Sequence, residues 1–330
     1  MDTYALPDTA AAPGAARAHD AGAHDGTWAV TADVAALRTA IANLFFYGLP
    51  GAGDRQWVLV DAGIPGSAAW IESAAKARSG RRSRPACIVL THGHFDHVGA
   101  LKTLAELWDV PIFAHPLEFP YLDGRESYPP PDPTVGGGAM ARMSPLYPRG
   151  PYDFSPRLRA LPADGSVPGM PGWRWVFTPG HSPGHVALFR DADRTLIAGD
   201  AFVTTKQESM TSVMMWRPEM HGPPAYFTQD WDAARRSVEA LAALEPEAVG
   251  TGHGPPLHGA TMRAALHMLA RDFESLAVPD DGRYVRAPAI FDEQGVVSVP
   301  PPVLDPVTLI AGLGLAALAG VGIGSALRRR

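Results

Sequence analysis

Short apolar runs and amphipathic stretches alternate along this chain. "QWVLVDAG" (Gln56 to Gly63) reads as a strand that ends in a turn, and Ala68 to Ala77 as a helix. "ACIVL" (Ala86 to Leu90) is a second buried strand. Beyond it, Val98, Leu101, Leu104, Leu107 and Trp108 recur at helical spacing. "VPIFAH" (Val110 to His115) completes this first batch. A second batch begins with "WRWVFT" (Trp173 to Thr178), "HVALFR" (His185 to Arg190) and "RTLIAGD" (Arg194 to Asp200). It continues with a helix over Asp232 to Leu244, a strand and turn in "EAVGTGHG" (Glu247 to Gly254), and a closing helix from Thr261 to Leu276. Two such batches predict two packed sheets with helices outside.

Between and around these batches the texture changes. From Pro116 to Gly172, prolines and glycines interleave with Phe119, Tyr121, Tyr128, Tyr147, Tyr152 and Phe154, which reads as an irregular, lid-like insertion. Lys206 to Trp231 is rich in methionine and aromatic residues, the composition of an adaptable apolar surface or of a gap-filled core. Residues 1–27 hold almost no large apolar side chains and read as a disordered extension without a secretory signal. Residues 279–305 read as a proline-rich linker. The domain between them spans 28–278.

The tail from 306 to 330 stands apart. Val307 to Leu327 is 21 residues without a charge, about 30 Å as a helix and so long enough for a bilayer core, followed by three arginines. Gly312, Ala316, Gly320 and Gly324 give it a small-residue stripe suited to self-association in a membrane. The expectation is a membrane-associated enzyme whose catalytic domain faces the cytoplasm.

Composition narrows the partners. With 46% apolar residues in 330, the chain can build a full core, and a formal charge of −6 without a long basic run argues against nucleic acid. The single cysteine, Cys87, excludes a disulfide framework and sits in the strand Ala86–Leu90 as a small core residue.

The chemistry concentrates in "THGHFDHVGA" (Thr91 to Ala100), at a strand-to-helix turn. Imidazole and carboxylate are ligands for zinc and similar divalent ions. His92 and His94 can grip one ion, while Asp96 and His97 face a neighbouring position. His181, Asp200 and His253 fall at further strand-end turns, each beside a glycine that lets the backbone bend. Four such segments together point to a metal centre.

This pattern resembles the metallo-β-lactamase-fold hydrolase superfamily, in its glyoxalase II-like and lactonase-like branch, from about Asn43 to Leu276. The resemblance implies an α+β fold, a four-layer αββα sandwich, here with a hydrophobic C-terminal helix added. It implies His92, His94 and His181 around a first metal, Asp96, His97 and His253 around a second, and Asp200 bridging both. Asp61 and His185 would support these ligands from behind. Two zinc ions are implied, with iron or manganese as substitutes, and a metal-bound hydroxide that cleaves an ester, thioester or lactone-like bond of a small molecule, with Asp96 relaying the proton. The alternatives are a mononuclear iron enzyme of the persulfide dioxygenase type and a membrane-tethered, non-catalytic metal-binding module. His19, His24, His115, His221, His258 and His267 match no position of the pattern.

Overall fold

The computed structural model describes residues 25–303. Seven strands form the first sheet in chain order: β1 (Trp28–Ala29), β2 (Val34–Thr39), β3 (Ala42–Tyr47), β4 (Val58–Val60), β5 (Ile88–Val89), β6 (Ile112–Ala114) and β7 (Leu158–Ala160). The first four pair antiparallel, and β4 to β7 run parallel. Parallel neighbours need crossovers. These are α1 (Ala68–Ser79) between β4 and β5, and α2 (Phe95–Val98) with α3 (Leu101–Trp108) between β5 and β6. The second sheet holds β8 (Trp173–Phe177), β9 (Val186–Arg190), β10 (Thr195–Ile197), β11 (Ala248–Gly250) and β12 (Leu257–His258), ordered β12-β11-β10-β9-β8.

Side-chain alternation along the strands shows how the layers stack. Phe45, Val58, Val60 and Val89 share one core with Val186, Leu188 and Ile197, so these faces of the two sheets meet. The intervening residues Leu44, Phe46, Leu59 and Ile88 turn outward onto Ile71 of α1 and Leu101 and Leu104 of α3. On the other side, Ala187, Phe189, Leu196 and Val249 pack against two further helices of the second half. Each fully buried Val, Leu or Phe contributes about 1.5–3 kcal/mol, so this pattern of period two selects helix–sheet–sheet–helix layering.

The insertion 116–172 is more ordered than its composition suggests. It forms α4 (Phe119–Leu122) and α5 (Ala139–Met143), contributes β7 to the sheet edge, and buries Tyr121, Tyr128, Met140 and Phe154. The methionine-rich stretch folds into α6 (Met210–Met215), before the outer-layer helices α7 (Trp231–Ala242) and α8 (Gly259–Arg271). The closing helix breaks at Asp272 and resumes as α9 (Phe273–Leu276).

Residues 279–303 do not run free as a linker. They form α10 (Arg283–Arg286) and the hairpin of β13 (Ile290–Asp292) and β14 (Gly295–Ser298). Backbone donors tie them down: Arg283 N–H to Asp132 Oδ2 (2.6 Å), Ala289 N–H to Gln229 O (3.0 Å) and Val296 N–H to Glu126 Oε2 (2.7 Å). At the other end, Thr27 is also in place, buried and bonded to Asp25. Met1–His24 and the expected hydrophobic helix at Val307–Leu327 lie outside the described residues. Among the described residues, no helix is long and apolar enough to cross a membrane.

Candidate metal centre

The candidate ligands emerge from loops that follow strands on both sheets. Asp61 follows β4, the turn from Thr91 into α2 with Asp96 and His97 follows β5, His181 follows β8, Asp200 follows β10 and His253 follows β11. All seven proposed ligands converge and all are buried, with Asp96 at 5% the most exposed. Ligand atoms fall into three overlapping groups, each within 4.8 Å: His92, His94 and His181; His92, His97 and Asp200; Asp96, His97 and His253.

Hydrogen bonds on the outer side fix the direction of the rings. The Thr91 hydroxyl donates to Asp61 Oδ2 (2.8 Å), which leaves its oxygen to accept from His92 Nδ1 (3.1 Å). His97 Nδ1 donates to Asp61 Oδ2 (2.9 Å), and His253 Nδ1 to the Ile41 carbonyl (2.6 Å). Thr228 donates to Pro224 O (2.9 Å) and faces His181 Nδ1 at 3.4 Å. With Nδ1 bonded outward, Nε2 is the nitrogen that each of these four rings turns inward. His94 is turned the other way, with Nδ1 2.9 Å from His181 Nε2 and 3.1 Å from His92 Nε2.

Three imidazole nitrogens at such distances repel unless a cation or proton lies among them. Burial, with the neighbouring rings adding to it, holds His92 and His181 well below the usual imidazole range. Burial brings His94 to about 3. They are therefore neutral, the form that ligates a metal. Around Asp200 the balance reverses. Its Oδ2 lies 3.1 Å from His253 Nε2, 3.4 Å from His181 Nε2 and 3.6 Å from His97 Nε2. Burial alone would raise the Asp200 carboxyl, but His253 and His97 hold it well below the ordinary carboxylate range. Burial likewise pulls His97 and His253 down, and the carboxylates of Asp200 and Asp61 (for His97), or Asp200 and Asp96 (for His253), more than reverse it. The pocket favours positive charge next to Asp200. His97 Nε2 and Asp200 Oδ1 are buried without a hydrogen-bond partner, an arrangement a divalent ion satisfies. The donor set fits a metal. Gly252 is required here by close approach, because a Cβ would stand 2.0 Å from Asp200 Oδ1.

The structure places His185 behind Asp200 rather than among the ligands. Its Nε2 accepts the Asp200 N–H (2.9 Å), and its Nδ1 meets the Thr178 hydroxyl (2.8 Å). Asp61 accepts from Thr91 N–H as well as from His97, which ties β4 to the histidine-rich turn. Asp96 sits at the rim, 3.5 Å from His253 Nε2, and burial pushes its carboxyl up. His115 stacks on Phe177, His221 meets Gly222 O, His258 binds the Val30 carbonyl and His267 pairs with Glu245, so none of them joins the cluster. His19 and His24 lie outside the described residues.

Asp61 and His185 were expected as supports, but sequence reasoning missed two others. Asn43 Nδ2 donates to Thr251 O (2.8 Å) and Gly254 O (2.7 Å), clamping the loop that carries His253. Glu118 is fully buried beside the site, yet its surroundings, "HPLEFPYL", carry no motif.

The chain matches the sequence profile of the metallo-beta-lactamase superfamily over residues 41–253, a span that holds every candidate ligand. It is 49% identical over 240 residues to the Probable metallo-hydrolase YflN of Bacillus subtilis (strain 168), covering 73% of this chain and 90% of that one. A second relative there, the Probable metallo-hydrolase YybB, is 32% identical over 52% of this chain and 64% of its own length. Among solved structures, a beta-lactamase domain protein from Burkholderia ambifaria aligns with a TM-score of 0.51 at 23% identity, covering 82% of this chain and 80% of that chain, a likeness of fold alone. The protein belongs to the metallo-β-lactamase superfamily. Within it, the chain is a metallo-hydrolase.

Proposed function

We propose that this metallo-hydrolase works with two divalent ions, zinc by type, and hydrolyses an ester, thioester or lactone-like bond in a small molecule. The observation that carries the reading is Asp200, whose carboxylate lies within 3.1–3.6 Å of histidines from both ligand sets. His92, His94 and His181 would hold one ion, Asp96, His97 and His253 the other, and Asp200 both. Two bound ions supply Lewis acidity and a water that ionises near neutral pH.

The remaining work falls to the chain itself. Asp96, at the rim 3.5 Å from His253 Nε2, is the group that would take a proton from the attacking water and return it to the leaving group. Phe227 lies 4.7 Å from the His94 ring, and Tyr226, Tyr147 and Phe95 continue from it at centroid spacings of 5.0–6.0 Å. These side chains come from the histidine turn, the insertion and the methionine-rich stretch. They supply an apolar wall for the part of the substrate that does not react, and exclude water from it.

The test is metal analysis of the purified protein, followed by a screen of ester, thioester, lactone and phosphodiester substrates. Two ions per chain and turnover of a carboxylic ester-type substrate are expected. Asp200→Ala should lose metal and at least about a thousandfold in rate, several kcal/mol of transition-state stabilisation. A single ion in active protein, or two ions and full rate in Asp200→Ala, would overturn the reading.

A further inference from the structure

Glu118 lies in the turn after β6, is 0% exposed, and belongs to none of the groups that converge as candidate ligands. Its carboxylate is shared between two loops. Oε2 accepts the Gly93 N–H (2.9 Å) and the Tyr128 hydroxyl. Oε1 accepts the Gly184 N–H (2.7 Å) and the Ser182 hydroxyl (2.8 Å). Gly93 sits between His92 and His94, and Ser182 follows His181. One buried side chain thus holds the two backbones that carry the three histidines of one group.

Local packing leaves this link little freedom. A Cβ on Gly93 would stand 2.5 Å from the Tyr128 hydroxyl oxygen, and one on Gly184 2.7 Å from Glu118 Cγ. Tyr128 also lays its ring 4.6 Å from that of His94 and stacks on Tyr121 at 4.0 Å. Burial pushes the Glu118 carboxyl up, while the Tyr128 and Ser182 hydroxyls and the two backbone donors pull it back. All four donors point at the carboxylate, so each oxygen must accept twice. An amide cannot do this, because its NH2 would face a backbone N–H and a hydroxyl on one of the two sides.

We propose that Glu118 is the positioning residue for the His92–His94–His181 site: it sets the spacing of the two loops and so the affinity of that site for its ion. The proposal rests on the metal-centre reading but not on the number of ions or on the substrate. It also gives the first part of the insertion a role as the outer wall of the metal centre.

The experiment is stepwise zinc release from the full-length protein by a chromophoric chelator, with a parallel visible spectrum of the cobalt(II)-substituted protein. Wild type, Glu118→Gln and the double variant Tyr128→Phe/Ser182→Ala are compared. The double variant keeps the carboxylate and both backbone donors, and so reads the same link if Glu118→Gln does not fold. One class of ion should weaken by about 10–100-fold, the usual loss when a group that orients ligands is removed. The cobalt bands of that class should shift, and the other class should keep its affinity. If the protein binds a single ion, the two-ion reading fails, and the Glu118 proposal is read from the affinity of that ion. Unchanged affinity in every folded variant would overturn the proposal. So would an equal loss at both sites together with a lowered unfolding temperature, which would mark a general structural role.

Discussion

At the scale of single residues, the candidate ligands gather in short segments while some of their supports reach them from far along the chain. His92, His94, Asp96 and His97 lie within six positions, and His181, Asp200 and His253 each sit beside a glycine at a strand end. Asn43 and Glu118, which support them beside Asp61 and His185, leave no such trace, because their contacts are long-range and often made to backbone. Asn43 reaches across 208 positions to Thr251, and Glu118 across 66 to Gly184. The same holds for the ion pair that fastens the start of β2 to the end of β9. Arg190 grips Asp33 with Nη1 at 2.5 Å and Nη2 at 2.9 Å, also pairs with Asp193, and lies over the Trp173 ring at 4.9 Å. The Arg190 hydrogen bonds, against an opposing effect of burial, hold the Asp33 carboxyl below its ordinary value. A depressed carboxyl contributes stability that is complete above its unfolded pKa of about 3.9 and is lost as pH falls through the folded value. Arg190→Met should therefore cost about 1–3 kcal/mol at pH 7, and the difference from wild type should shrink below about pH 3.9. Urea midpoints of the chelator-treated proteins at pH 7 and near pH 3 check this, and an equal gap at both pH values would refute it.

At the scale of elements, strands with dense β-branched runs were easy to read and those without were not. β4 to β6 and β8 to β11 fall inside the predicted runs, whereas the β2–β3 hairpin passed unnoticed. Two-residue hairpin loops usually announce themselves by Asn-Gly or Asp-Gly. Here the turn between Thr39 and Ala42 is Ala40-Ile41, with Ala40 at φ 59° and no glycine. That unmarked turn matters, because Ile41 presents the carbonyl that orients His253. Residues 279–303 were misread for the opposite reason. Their prolines suggest a spacer, but buried Tyr284 and the bonds to Asp132, Gln229 and Glu126 make the segment a strap over the insertion. Asp132 is held in place for this contact by its own turn, where its Oδ1 accepts from the Thr134 N–H (3.0 Å) and hydroxyl (2.5 Å). Asp132→Ala leaves the buried Arg283 N–H without its partner and should cost about 1–3 kcal/mol. Amide exchange should then quicken in 132–140 and 282–286 and stay slow in 88–97. Uniform acceleration across the chain, or none, would show that the strap and the insertion are not fastened there.

At the scale of the whole molecule, the two batches of alternating elements were enough to read a four-layer sandwich, because each strand's two faces must find different partners. What the batches could not convey is how the chain after α9 relates to the active site. The strap packs on the insertion, and the insertion supplies Tyr147 to the aromatic wall and Tyr128 to the His94 side of the metal centre. Whatever follows residue 303 is therefore joined to the part of the molecule that frames the candidate metal centre. We propose that the uncharged stretch Val307–Leu327 tethers the enzyme to a bilayer, so that this frame works close to the membrane surface. Its 21 residues amount to about 30 Å as a helix, the thickness of the hydrocarbon core. Its glycines, at positions 312, 314, 320, 322 and 324, lower both helicity and hydrophobicity, so fractionation is the readout that decides the tether. Cells producing the full-length chain and a chain ending at Val303 should be lysed and fractionated by ultracentrifugation, with hydrolysis followed in both fractions. The full-length enzyme should sediment with membranes, resist extraction by high salt and dissolve in detergent. The shortened enzyme should stay in the supernatant with its rate on a water-soluble ester unchanged. Full-length enzyme that remains in the supernatant would refute the tether, and a shortened enzyme that still sediments would place membrane attachment elsewhere in the chain.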